Sequence, residues 1–344
     1  MGIPVFRSFV KRKDMDFVLT SLVNDASEPG EFVDRFEKGL KESFGCDHVL
    51  LLRSPLSALQ VALGSLGLAR ADSVAVPALA PLFYMKALES LGLVPVFLDA
   101  ATESGDPDKG IIDQAFAAAG IRPKALIWAG GGTCLPPESL FSEIGIPVIE
   151  DFTRRIGALR GEFPAKSQGA MTILSFEHGS MLSSGGGACV MAMARRDGTI
   201  LRNIGDQVVP ELRMSDYNAA LGSAQLRELE RTIEKRRELR KSFLQSLASG
   251  RHRAFRQAGE GESGLWSFPV VIESSVKDAV QYAKKKDIET IGAFEDSCLA
   301  AGLVPEGSCP VARSLLLRTL LFPLHQRIGN SGAQKVTRVL ATLP

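Results

Sequence analysis

Several things are scarce in this chain, and each scarcity excludes something. Its 344 residues hold two tryptophans, three tyrosines and four histidines. The histidines (His48, His178, His252, His325) are isolated in sequence, so no metal-ligand spacing is readable and no metal is expected. The five cysteines (Cys46, Cys134, Cys189, Cys298, Cys309) are scattered, odd in number and without paired spacing. They read as reduced thiols of a cytoplasmic protein. Charge of one sign is missing: 40 Lys and Arg against 39 Asp and Glu leave +1. That removes the bulk electrostatic case for nucleic acid or an anionic membrane as partner. No apolar run reaches membrane-spanning length. The opening "MGIPVFRSFVKRKDMDF" lacks the apolar core of a secretory signal, and "MGIPVF" lacks the Ser or Thr of a myristoylation site.

What is there reads as α/β. Apolar residues recur at helical spacing over Asp16–Asn24 and Phe32–Phe44. Then short, wholly apolar strands alternate with helices. "HVLLLRS", "DSVAVPAL", "VPVFLDA", "KALIWAGG" and "IPVIEDF" are strands; "PLSALQVALGSLGL", "PLFYMKALESLGL", "IIDQAFAAAG" and "SLFSEIG" are helices. Strands apolar throughout imply a mostly parallel sheet covered on both faces. "AMTIL" and "ACVMAMA" are two more strands, framing "SFEHGSMLSSGGGACV". From Asp216 to Gly250 the pattern predicts one long amphipathic helix with the stripe Leu221, Ala224, Leu226, Leu229, Ile233. Its "EKRRELRK" reads as a solvated face laced by i,i+4 pairs, not a nucleic-acid patch. Beyond it, "LWSFPVVIE", a Val276–Lys285 helix and the C-terminal "QKVTRVLATL" helix suggest a small α+β unit. The expected division is residues 1–240 for a large domain and 241–344 for a small one.

The order of these motifs resembles the sugar-nucleotide aminotransferases of the DegT/DnrJ/StrS type, fold type I pyridoxal-phosphate (PLP) enzymes. The resemblance runs through "FVDRFEKGLKESFG", "SALQVAL", "VAVPALAPLFYMKALESLGLVPVFLDA", "PVIEDFTRRIGALRG", "SFEHGSMLSSGGGACV", "RMSDYNAALGSAQLRELERTIEKRREL" and "CPVARSLLLRTLLFPLH". It implies a large domain with a mixed, mostly parallel sheet, a small C-terminal domain, and a homodimer whose interface includes "ELRMSDYNAALGSAQL". It also implies PLP or its amino form (PMP) as cofactor and a sugar nucleotide as ligand, in surface-polysaccharide or amino-sugar synthesis.

Residue by residue, the implied cofactor site is degraded. A PLP site needs an amine, an acid at the pyridine nitrogen, a face for the ring and donors for the phosphate. The family's Schiff-base lysine falls four residues past Phe176, on Ser180, whose hydroxyl cannot form an imine. By its type alone Ser180 is also an ordinary small loop residue. Asp151 keeps the acid, though a strand-end Asp can equally cap the next segment. The aromatic of the ring face falls on Pro81, with Phe83 and Tyr84 displaced into the following helix and read as core. The Gln that touches the ring hydroxyl falls on Arg154. The Gly-Thr of the phosphate cradle falls on Pro55 and Leu56, one without N–H and one without hydroxyl. Ser175 is kept. A partner-subunit Asn falls on Glu211, whose charge would repel a phosphate. Gly187 keeps the family's loop glycine, while the Glu before it is Gly186. The expectation is therefore a divergent member that holds no cofactor. The alternatives are a sugar aminotransferase or dehydratase holding PLP or PMP non-covalently, or a new activity in which His178, beside Glu177, acts as general base. His178 reads equally as a loop histidine bonded to solvent or backbone.

Overall fold

The computed structural model describes residues 2–7, 10–23, 30–129, 132–257 and 259–344. The strand sequences are buried on alternate sides, which sets the architecture. In β1 (His48–Leu52), Leu50 and Leu52 enter one core while Val49 and Leu51 enter another. The remaining strands of the main sheet are β2 (Ser73–Pro77), β3 (Val94–Leu98), β4 (Ala125–Ala129), β5 (Val148–Asp151), and, after a short hairpin of β6 (Leu159–Arg160) and β7 (Phe163–Pro164), β8 (Met171–Ser175) and β9 (Ala188–Ala192). Their order is β1-β9-β8-β5-β4-β2-β3. β9 runs antiparallel to both neighbours, and the other pairs are parallel. The expected mixed, mostly parallel sheet is present.

Helices cover both faces: α1 (Arg12–Val23), α2 (Glu31–Phe44), α3 (Pro55–Gly64), α4 (Phe83–Leu91), α5 (Lys109–Ala119), α6 (Leu140–Ile144) and α7 (Arg195–Gly205). α4 stops at Gly92, whose φ of 65° is the left-handed cap that only glycine adopts freely. The buried carboxylate of Asp216 accepts the N–H groups of Gly30, Phe32 and Val33, satisfying the first turn of α2 across 183 or more residues of sequence.

The long helix predicted over Asp216–Gly250 is two helices, α8 (Asp216–Arg227) and α9 (Leu229–Leu247). Glu228 leaves the helical region (φ −98°, ψ 1°), and its carboxylate pairs with Lys11. The break lets α8 stay on α2, where Gly222 lies so close to Phe36 that a Cβ would stand 2.4 Å from the ring. α9 then departs, and Leu239, Phe243 and Leu247 enter a separate core. That core lies under a sheet of order β10-β12-β14-β13. Its strands are β10 (Arg253–Ala254), β12 (Phe268–Val271), β13 (Ile291–Gly292) and β14 (Thr319–Phe322), with β11 (Gly261–Glu262) added to the hairpin. The helices here are α10 (Val276–Lys285), α11 (Pro310–Arg318) and α12 (Asn330–Ala341).

"EKRRELRK" is the solvated face expected only in part: Glu234, Glu238 and Lys241 are exposed and Lys235 pairs with Glu238, but the arginines turn inward. Arg236 is buried and donates to the carbonyls of Leu265 and Trp266. Arg237 pairs with Glu262, and Arg240 donates to Ser263. Three arginines thus latch α9 to the strap that carries β11, Arg236 through the strap's carbonyls and Arg237 and Arg240 through its side chains. Among the described residues, no helix is long and apolar enough to cross a membrane.

Candidate functional site

The crevice of a doubly wound sheet lies at the carboxyl ends of its parallel strands. Here Asp151 and Ser175 close β5 and β8. Asp151 Oδ1 accepts the N–H of Thr153 at 2.9 Å. Its Oδ2 accepts the hydroxyl of Tyr84 at 2.5 Å. Thr153 Oγ1 accepts the Ser175 N–H at 2.9 Å, and Ser175 Oγ accepts that of Glu177 at 3.3 Å. So the two retained positions do come together, bridged by Thr153. Tyr84, read from sequence as core, is fully buried in the first turn of α4 but carries a polar role as well. Burial, then the neighbouring negative charge of Asp151, pushes the phenol pKa well above its ordinary value. A buried tyrosine needs a partner for its O–H, which is the signal that could have pointed to this pair.

The loop from Phe176 to Gly187 is closed at its neck by Phe176 N–H to the Gly187 carbonyl (2.9 Å) and Ser184 N–H to the Phe176 carbonyl (3.1 Å). Gly185, Gly186 and Gly187 have φ of 78°, 138° and 97°. A Cβ on Gly187 would meet Met214 Cε at 2.3 Å. These glycines are therefore required by backbone shape and close approach. The loop's Gly187 N–H is taken by Glu177 Oε1 at 3.3 Å, so the chain brings its own anion to the glycine run. His178 is exposed. Ser180 is partly buried in a turn whose N–H meets the Glu177 carbonyl at 3.0 Å.

The other positions are held by contacts of their own. Ser54 caps α3 by accepting the Ser57 N–H at 3.1 Å, leaving Pro55 and Leu56 in the first turn. Leu56 packs on the main core. Pro81 pairs with Ser297 in a strand bridge, flanked by Leu82 N–H to the Asp296 carbonyl (2.8 Å) and Cys298 N–H to the Ala80 carbonyl (2.8 Å). Arg154 stacks on Trp266 at 4.3 Å, and Phe6 packs on the same indole at 4.9 Å between centroids. A Cβ on Gly179 would touch the Phe6 ring at 3.4 Å, so this stack abuts the glycine loop. Glu211 is exposed in a single turn over Pro210–Leu212, and Leu212 accepts the Arg53 N–H at 2.8 Å beside the start of α3. The segment carrying Phe6 is anchored by His325 Nε2, which donates to the Pro4 carbonyl at 3.0 Å. Burial pulls the His325 pKa down to about 4, against that bond and with Arg236, Arg7 and Arg327 adding to the fall.

Residues 10–341 match the model of the DegT/DnrJ/EryC1/StrS aminotransferase family. The chain belongs to that family. A curated relative, GDP-perosamine synthase of Vibrio cholerae, is 22% identical over 327 residues, covering 89% of this chain and 85% of its own. The aminotransferase TlmJ from Streptoalloteichus hindustanus superposes with a TM-score of 0.86 at 21% identity, over 98% of each chain. The GDP-4-keto-6-deoxy-D-mannose-3-dehydratase of E coli, solved with bound hydrated PLP, gives 0.83 at 20% identity over 99% of each. At such identity the superpositions establish the fold, that of PLP-dependent aminotransferases, and not the chemistry of this family member.

Proposed function

We propose that this family member binds a sugar nucleotide, or a protein partner, on the inherited scaffold and has lost PLP binding and transamination. The observation that carries the reading is the Tyr84–Asp151 hydrogen bond of 2.5 Å. In the family's arrangement Asp151 would meet a pyridinium nitrogen. Both its oxygens already hold donors of this chain, one from Tyr84 and one from Thr153. A pyridinium would have to share that carboxylate with a fully buried phenol and the Thr153 N–H, which compete for its charge. Combined with the positions that follow, that competition makes the residues a poor fit to PLP. Support comes from the other positions read together: Ser180 for the lysine, Pro55 and Leu56 for the phosphate donors, Pro81 for the ring face, Arg154 for the Gln, and Glu211 for the Asn.

The inherited frame is proposed to work in the cytoplasm as a homodimer built on residues 211–226. Residues 1–240 form its large domain and 241–344 its small one. A relative suggests the ligand class: GDP-perosamine synthase is named for a GDP-linked sugar, so a nucleoside-diphosphate hexose is the ligand to try. The test is calorimetric titration with GDP- and UDP-hexoses, run beside a glutamate half-reaction assay with added PLP. Saturable nucleotide-sugar binding without amino transfer is expected. Amino transfer above the rate of PLP alone would make this an active aminotransferase and sink the reading.

A further inference from the structure

Two successive arginines lie in the single turn Thr153–Arg155 that follows β5, and they are used differently. Arg155 is buried and donates to the carbonyls of Cys134 at 2.8 Å and Asp151 at 2.7 Å. Arg154 is half-buried and makes no hydrogen bond or ion pair among the described residues. Its guanidinium is held over the Trp266 indole at 4.3 Å. Phe6 packs on that indole and comes within 3.4 Å of a Cβ built on Gly179, the residue before Ser180. The stack also stands near the Tyr84–Asp151 pair. Burial and the Asp151 charge raise the Tyr84 pKa, and the Arg154 charge opposes them. We propose that Arg154 is a carboxylate receptor in this cleft and that the ligand is a nucleoside-diphosphate hexuronate, a sugar nucleotide whose sugar bears a carboxylate. The inference rests on the sugar-nucleotide reading above and narrows it.

Three features select a carboxylate. Where the resemblance places a neutral Gln, this chain has a cation, and no group of the chain neutralises it by direct contact. The N–H groups of a guanidinium lie in its own plane, so an aromatic ring over its face orients the fork without consuming its donors. Such a fork takes a carboxylate through two parallel bonds, and its weak hydration makes half-burial inexpensive. Charge then separates carboxylate from terminal phosphate. A phosphate monoester brings nearly two negative charges and a carboxylate one. With Asp151 already close by, one guanidinium is matched by the smaller charge.

The experiment is calorimetric titration of the full chain with two matched pairs: UDP-glucuronate against UDP-glucose, and GDP-mannuronate against GDP-mannose. Each pair shares its base and diphosphate, so the difference within it reports the carboxylate alone. Wild type is expected to bind the uronate of at least one pair about 10- to 100-fold more tightly than its neutral partner. Arg154→Gln, which installs the family's residue, should abolish that preference. Arg154→Lys keeps the charge but not the fork, and should retain only part of it. Circular dichroism verifies that both variants fold. Equal affinities within both pairs for wild type overturn the proposal and leave the sugar-nucleotide reading standing. A preference that survives in folded Arg154→Gln, or is undiminished in Arg154→Lys, overturns it too. So does an equal loss for both members of a pair in Arg154→Gln, which would assign Arg154 to the shared diphosphate. Binding of none of the four sinks this proposal together with the reading beneath it.

Discussion

Replacing Tyr84 by Phe removes one oxygen and nothing else, so it isolates the contact with Asp151. The ring keeps its packing, including the edge contact with Phe83 at 4.5 Å between centroids. What is lost is a 2.5 Å donor to a carboxylate. Hydrogen bonds to charged groups contribute roughly 1.5–3 kcal/mol. Unfolding entropy is about 2.1 cal/mol/K per residue, so for 344 residues unfolding together the slope is about 0.7 kcal/mol/K. Tyr84→Phe should therefore lower Tm by about 2–4 °C. A cycle with Asp151→Asn should return a coupling of at least about 1 kcal/mol between the two positions. The phenol adds an independent signature. Its folded pKa is raised, so its contribution to stability is full below the unfolded value of 10.0 and is lost as pH rises above it. Alkaline titration of phenolate absorbance should show Tyr84 ionising only as the wild type unfolds, while Tyr84→Phe should lose stability less steeply above pH 10. An unchanged Tm, with no coupling to Asp151, would refute the claim that Asp151 is committed to this chain's own donor.

Gly187→Ala, which must place a Cβ 2.3 Å from Met214 Cε at φ 97°, should destabilise by about 2–3 kcal/mol in urea unfolding. Arg236→Ala strips the donors from the Leu265 and Trp266 carbonyls; a loss of about 3 kcal/mol and a shift in Trp266 fluorescence are expected. His325 has a folded pKa of about 4 against 6.5 unfolded, so as pH falls the unfolded chain takes up the proton first. Its contribution is complete above pH 6.5 and declines towards pH 4, and His325→Gln should flatten that part of the stability profile.

The sheet was legible because its strands are mostly apolar and several of its helices end at a local glycine cap. Val276–Lys285 was read to the residue, since Ser275 caps it and its buried positions repeat with the helix. Periodicity reports which face is buried but not what lies against it. Hence the break at Glu228 escaped, because its cause is α8 staying on α2 while α9 leaves for another core. The inward arginines of α9 escaped for a related reason: their partners lie on a strap 23 or more residues later. At the site, Asp151 was legible as a strand end, and Ser175 through the family resemblance. The Tyr84 hydroxyl was not: burial implies that it needs a partner, but nothing local names one 67 residues away. The Arg154–Trp266–Phe6 stack likewise joins three segments that only the tertiary fold brings together.

We propose that the cofactor position is lost in several places at once and not merely at the lysine. The most direct measurement is PLP titrated into wild type and Ser180→Lys in parallel, followed by visible absorbance and equilibrium dialysis. Ser180→Lys supplies an amine. It restores neither the donors absent at Pro55 and Leu56 nor the ring face at Pro81, and it leaves Asp151 held by Tyr84. Loss of two charged hydrogen bonds weakens binding by about two to four orders of magnitude. The account predicts no retained PLP and no protein-bound visible band for either protein at micromolar cofactor. A stoichiometric band in Ser180→Lys, or PLP retained by the wild type through dialysis, would contradict it.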